Sequence, residues 1–194
     1  MEPRVKSRFE MLIAPKEHQM HHRGQLMVVQ RILGITRHLT RHMEQRIASM
    51  QSTHATSDMR WAEARLGPER VQGAYAWQRF LALAVPVANG SDFPVEEPNP
   101  LMGFYAAVTR QDQSGSPEGG WFPDQRMTRE EALRSWTVSG AYAAFEEKTK
   151  GSLEPGKLAD FVMLSGDIMK IPAREIPRTR VRMTVMGGEI VFSE

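Results

Sequence analysis

The sequence predicts a mixed α/β fold with a long helix in front and a small antiparallel β unit at the end. Three observations carry that prediction. Apolar residues recur at helical spacing through the first quarter of the chain. Short apolar runs then alternate with longer amphipathic ones. Near the end, Gly187–Gly188 separates two runs rich in Val, Ile and Phe.

Composition sets the outer limits. The 194 residues are enough for one good core or two small ones, and 41% apolar with 25% charged residues is ordinary for a globular protein. A net charge of +2 argues against a nucleic-acid partner. The Arg and His excess at residues 16–46 reads as a solvated helix face. There is no cysteine, so disulfides and thiolate metal sites are excluded and any metal must be held by His and carboxylates. No stretch approaches the ~18 apolar residues that span a bilayer, and the four-residue apolar run before Pro15 is too short for a signal-peptide core. A cytoplasmic location without membrane contact is the expectation. The thirteen methionines are scattered and read as core filler.

The front helix is expected from near Pro15, which suits a first turn, to about Ile47. Leu26, Val29, Ile32 and Leu33 form its apolar stripe, and Gly34 is the place where it would break. Ile47 to Met50 reads as a short buried strand followed by a polar loop from Gln51 to Asp58. Pro68 is expected to open an amphipathic helix that buries Val71, Ala74, Tyr75, Trp77 and Phe80 to Leu83. Val85 to Asn89 is a strand candidate ending in Gly90–Ser91–Asp92, and a helix around Leu101 to Thr109 follows. Residues 111–127, rich in Gly and Pro, read as a long surface loop. Thr128 with Glu131 forms a capping box, and the helix it opens is expected to reach Glu147. Ala159 to Leu164 and Val181 to Val185 read as strands, and Gly187–Gly188 as the hairpin turn into Glu189 to Phe192.

The segment with most chemical content is Gly90–Ser91–Asp92–Phe93–Pro94–Val95, directly after a strand. A carboxylate at the C-terminal end of a parallel strand points to where chemistry occurs in barrel enzymes. Taken alone, the same pattern also fits a helix cap. Its setting adds to it. The runs HATSDMRWAEARLGPERVQGAYAWQ, NGSDFPVEEPNPLMGFYAAVTRQD, GGWFPDQRMTREEAL, KGSLEPGKLADFVML and MTVMGGEIVF together resemble amidohydrolase family 3, over residues 47–194. That resemblance implies the C-terminal fragment of a (β/α)8 amidohydrolase barrel in residues 47–150 and part of its small β-sandwich in 151–194. It implies a metal-dependent hydrolase of C–N bonds in non-peptide amides, using a divalent metal, zinc by expectation, and a small amide-type substrate. It makes Asp92 a metal ligand and the acceptor of the proton from the attacking water, and His54 a substrate-pocket residue, although the family carries Pro where Ser52 stands. Arg110 and Asp112 read equally well as an ordinary surface ion pair.

The same comparison implies what this sequence lacks: the His-x-His pair of the first barrel strand, the later histidine motifs and six of eight strands. One carboxylate does not hold a catalytic zinc, which takes about three protein ligands. Activity is therefore expected to be impaired by truncation, and exposed barrel edges are expected to drive homo-oligomerisation or aggregation.

Residues 1–46 resemble something else. His18–Gln19–Met20–His21–His22–Arg23–Gly24–Gln25–Leu26 is similar to the last-helix motif of the DinB-like four-helix metalloproteins. By that resemblance His18 and His22, one helical turn apart, would bind a metal. His21 would point elsewhere, and a surface role for all three is the competing expectation. Two resemblances meeting near Arg46–Ile47 suggest a fused or truncated gene product. The readings that follow are a hydrolase, a non-catalytic fusion remnant, or a DinB-like metal-binding module.

Overall fold

The computed structural model describes residues 47–194. The expected front helix, and with it His18 and His22, lies outside the described residues.

The first strand, β1 (Ala48–Met50), pairs in parallel with β2 (Val87–Asn89), with Ala48 opposite Val87 and Met50 opposite Asn89. Parallel neighbours need a crossover, and here helices supply it: α1 (Ser52–Arg70) and α2 (Trp77–Ala82). Beyond β2 come α3 (Pro100–Thr109), α4 (Arg129–Trp136) and α5 (Val138–Ala143). The chain ends in an antiparallel sheet of β3 (Phe161–Leu164), β4 (Val181–Met186) and β5 (Glu189–Ser193), with β4 in the middle. The α/β class and the closing hairpin at Gly187–Gly188 agree with the expectation.

Several expectations are corrected. Residues 51–58 are not a polar loop, because α1 already begins at Ser52. Gln51, the residue before it, makes no side-chain cap. The missing acceptor comes from the end of β2, where Asn89 Oδ1 accepts from the Ser52 N–H at 3.1 Å and from the Ser52 hydroxyl at 2.7 Å. Pro68 does not open a long helix. Gly67, at φ 78°, kinks α1 there, and a single turn runs on into a 3-10 segment at Val71–Gly73. Of the residues expected to be buried in that region, Val71 and Trp77 are, whereas Phe80 and Leu83 are exposed.

The Thr128 capping box is present in full: Thr128 Oγ1 accepts from the Glu131 N–H and Glu131 Oε2 accepts from the Thr128 N–H. The helix it opens stops at Trp136 rather than Glu147. Thr137 leaves helical geometry at ψ −86°, and α5 restarts on a new axis. The strand at 48–50 is half-buried rather than buried, since among the described residues it pairs on one side only.

The core joins Ala55, Trp77, Val87, Phe104, Ala107, Met127, Ala132 and Ile176. Small residues at Ala55, Ala107 and Ala132, all fully buried, let the helices approach closely. Gly103 takes this further: a Cβ there would lie 2.2 Å from Cζ2 of Trp136, so the indole rests directly on the backbone of α3. Ile176, on a 3-10 turn before β4, plugs the same core. Arg129 adds a second tie by donating to the carbonyls of Ile168 and Ile171. The C-terminal sheet itself is the exception to good burial, with Val162, Met163, Met186, Ile190, Val191 and Phe192 all exposed.

Candidate functional site

Asp92 lies three residues past β2, in the turn where the chain leaves the parallel pair. Gly90 extends the pairing by donating to the Met50 carbonyl at 3.2 Å. Asp92 then adopts φ 57°, a left-handed conformation that Asp tolerates better than most residues, and its carbonyl accepts from Val95 N–H at 2.8 Å. The turn leaves the Asp92 side chain about half exposed, at 51%.

His54 stands in the first turn of α1, immediately after β1. Its Nε2 is 3.7 Å from Asp92 Oδ2, and that nitrogen is itself buried with no hydrogen-bond partner among the described residues. The two residues singled out for chemistry and substrate binding therefore face each other. They do so because consecutive parallel strands place their C-terminal ends side by side. The carboxylate is open to solvent and the imidazole is held behind it.

One polar network that sequence reasoning missed shapes this end of the sheet. Besides its contacts to Ser52, Asn89 donates through Nδ2 to Ser135 Oγ at 2.8 Å, and the Ser135 hydroxyl donates to the Ala132 carbonyl at 2.7 Å. Ser52 and Ser135 are both buried. One amide thus fastens β2 to the start of α1, which carries His54, and to α4. The available signal was Asn89 itself, an amide placed directly before the Gly90–Ser91–Asp92 turn.

Arg110 and Asp112 are not a surface ion pair. Arg110 is fully buried at the C-terminus of α3, stacked over Trp77 at 4.3 Å and Trp121 at 5.1 Å. Its guanidinium donates to the carbonyls of Trp121 (2.7 Å) and Tyr75 (2.9 Å), and burial pushes its pKa down to about 10. Aromatic faces and carbonyls replace the carboxylate. Asp112 turns the other way and closes a loop, its Oδ1 accepting from Ser114 N, Ser114 Oγ and Ser116 N. The Ser114 hydroxyl is the main cause that holds its carboxyl below the ordinary range.

The family resemblance implies a divalent metal at this carboxylate. Asp92 Oδ2 and the orphaned His54 Nε2 are chemically suitable donors, but they are two. Among the described residues no three His, Asp or Glu side chains converge as a metal site would require. The described residues do not by themselves fit a complete catalytic metal site.

The model of the family described as "Amidohydrolase family" matches residues 10–192. YtcJ of Bacillus subtilis, a protein named as an amidohydrolase, is 30% identical over 145 residues, covering 75% of this chain and 27% of the relative. The N-substituted formamide deformylase of Arthrobacter pascens is 32% identical over 113 residues, covering 58% of this chain and 20% of that enzyme. A metal-dependent hydrolase from Pyrococcus horikoshii superposes with a TM-score of 0.58 at 26% identity, over 66% of this chain and 26% of that one. The chain thus spans about a quarter of the length of the first of these curated relatives.

Proposed function

The chain belongs to the amidohydrolase family, and we propose that it carries the catalytic-carboxylate end of a metal-dependent hydrolase acting on carbon–nitrogen bonds in non-peptide amides. In this reading β1 and β2 are the last two strands of a (β/α)8 barrel across residues 47–150. The sheet of β3, β4 and β5 is part of its small β-sandwich across 151–194, and residues 1–46 form a separate helical segment. The single observation that carries the reading is the 3.7 Å approach of His54 to Asp92 at the C-terminal ends of two parallel strands.

The roles in this reading are those the family resemblance implies. Asp92, half exposed, takes the proton from an attacking water. A carboxylate positioned in this way contributes about 10²–10⁴-fold to such a step. His54 stands behind it to orient the carboxylate and border the substrate. When bound, a divalent metal, zinc in this reading, would supply electrophilic activation, with Asp92 as one ligand. The other ligands are not among the described residues. The substrate is a small amide-type molecule, in keeping with the relative named as a formamide deformylase. Among the described residues no helix is long and apolar enough to cross a membrane, and a cytoplasmic enzyme is part of the proposal.

A second reading, a folded remnant without catalysis, is favoured by the two-donor count at Asp92 and His54. Metal content and turnover separate the two. Purified protein is measured for bound zinc and for hydrolysis of an N-substituted formamide, with and without chelator, beside Asp92→Asn and His22→Ala. The hydrolase reading expects chelator-sensitive turnover that falls at least about 100-fold in Asp92→Asn and is untouched in His22→Ala. Turnover indifferent to both chelator and Asp92→Asn overturns it, and absence of both zinc and turnover establishes the remnant. Zinc released by His22→Ala alone would instead mark residues 18–22 as the metal site.

A further inference from the structure

The face of α1 turned toward α3 is polar where a packed helix pair would place apolar residues. Thr53, Thr56, Ser57 and Arg60 follow one another at the i, i+3, i+4 and i+7 spacing of a single helix face. They line a cavity of about 390 Å³ whose opposite wall is Met102, Tyr105 and Ala106 of α3. The loop after α3 closes it with Asp112, and the loop after β2 contributes Glu96. Neither Asp92 nor His54 borders it. A volume of this order suits a small metabolite rather than a water cluster.

The polar groups in this cavity are only partly satisfied by the protein. Thr53 Oγ1 is buried with no hydrogen-bond partner among the described residues. Three donors converge on Asp112 Oδ1 and none of them on Oδ2. Arg60 makes no ion pair among the described residues. Glu96 accepts from the Ser57 hydroxyl, which fixes one carboxylate oxygen in the wall. The result is a positive group and an unused hydroxyl on α1, a carboxylate held against the same helix by Ser57, and a second carboxylate on the loop after α3, above an apolar floor.

We propose that this cavity is a second ligand site, separate from Asp92, that binds a small zwitterion of the amino-acid class. Its carboxylate lies against Arg60 and the Thr53 hydroxyl of α1, and its ammonium against Asp112 Oδ2. A positive group on α1 and the Asp112 carboxylate on the loop after α3 favour a ligand carrying both signs over one carrying a single sign, since each sign then meets its opposite. The apolar floor leaves room for a short side chain.

The test uses the full chain and calorimetric titration with the twenty common L-amino acids, each against acetate and methylamine as single-charge controls. At least one amino acid is expected to bind, with both controls at least about tenfold weaker, the loss typical of one charge-assisted contact. Asp112→Asn keeps the Oδ1 acceptor of the loop while removing the charge, and Thr53→Val keeps the shape while removing the hydroxyl. Both are expected to weaken binding about tenfold without changing the circular dichroism spectrum. Arg60→Gln provides a third variant on exposed surface, where folding is not at stake. Absence of binding by every amino acid, or binding that all three variants leave unchanged, overturns the proposal. Asp92→Asn is expected to leave this binding intact, so failure of the hydrolase reading and failure of this one are distinguishable.

Discussion

Asn89 and Ser52 are joined twice across 37 residues of sequence, with one amide oxygen receiving both the backbone N–H and the hydroxyl of the buried serine. That oxygen does the work of a helix N-cap from the end of a neighbouring strand. The first turn of α1 therefore starts where β2 ends. His54 and Asp92 inherit their proximity from this fastening.

Asn89→Ala is expected to cost about 3 kcal/mol, because it strands the buried Ser52 N–H and hydroxyl and removes the donor to Ser135 Oγ. Urea unfolding checks it. Asn89→Asp keeps the acceptor but loses the donor to Ser135, and should cost less. A loss below about 1 kcal/mol in the alanine variant would mean that the cap is not what starts α1.

Arg110 is tested by removing its charge. Arg110→Met retains much of the aliphatic stem between Trp77 and Trp121 but leaves the carbonyls of Tyr75 and Trp121 without their donor. The expected loss is about 3 kcal/mol, with tryptophan emission shifted as the two rings lose their partner. An unchanged unfolding midpoint would show that hydrophobic filling suffices at this position.

Tyr75 supplies the pH dependence. Burial, followed by the hydrogen bond it donates to Asp58, raises its phenol above the ordinary value. An acid whose folded pKa is raised holds its proton more tightly when folded. The stability it contributes is fully present below the unfolded value near pH 10 and declines as pH climbs from there toward the folded pKa. Phenolate absorbance should show one tyrosine titrating above the ordinary phenol range, and that component should vanish in Tyr75→Phe. Tyr75→Phe should lose this pH dependence between about pH 10 and 11.5. Three superimposed titrations would contradict the assignment.

The C-terminal sheet is expected to make the protein associate. Among the described residues β5 is an edge strand, and Ile190, Val191 and Phe192 place apolar groups on both of its faces while remaining 64%, 56% and 48% exposed. Light scattering should register concentration-dependent oligomers. Val191→Lys, a charge on an exposed edge position, should shift the distribution toward monomer with little change in unfolding midpoint. A monodisperse wild-type monomer would remove the basis for this expectation.

Much of this molecule was legible from local pattern. The Thr128–Glu131 capping box, the α3 helix behind Asn99 and Pro100, and the Gly187–Gly188 hairpin are each specified within a few residues. Their hydrogen bonds close locally, so sequence alone determines them. The turn at Gly90–Ser91–Asp92 was legible too, because a Gly–Ser–Asp sequence after an apolar strand is a local arrangement. What only the tertiary structure decided depends on partners far along the chain. The residues read as a loop at 51–58 became helix because Asn89 caps them. Arg110 became a core residue because Trp77 and Trp121 close around it. The helix expected to reach Glu147 ended at Trp136, where the indole settles onto the bare backbone of Gly103. In each case at least one deciding group lies dozens of residues away, where no periodicity or propensity in the local segment can register it.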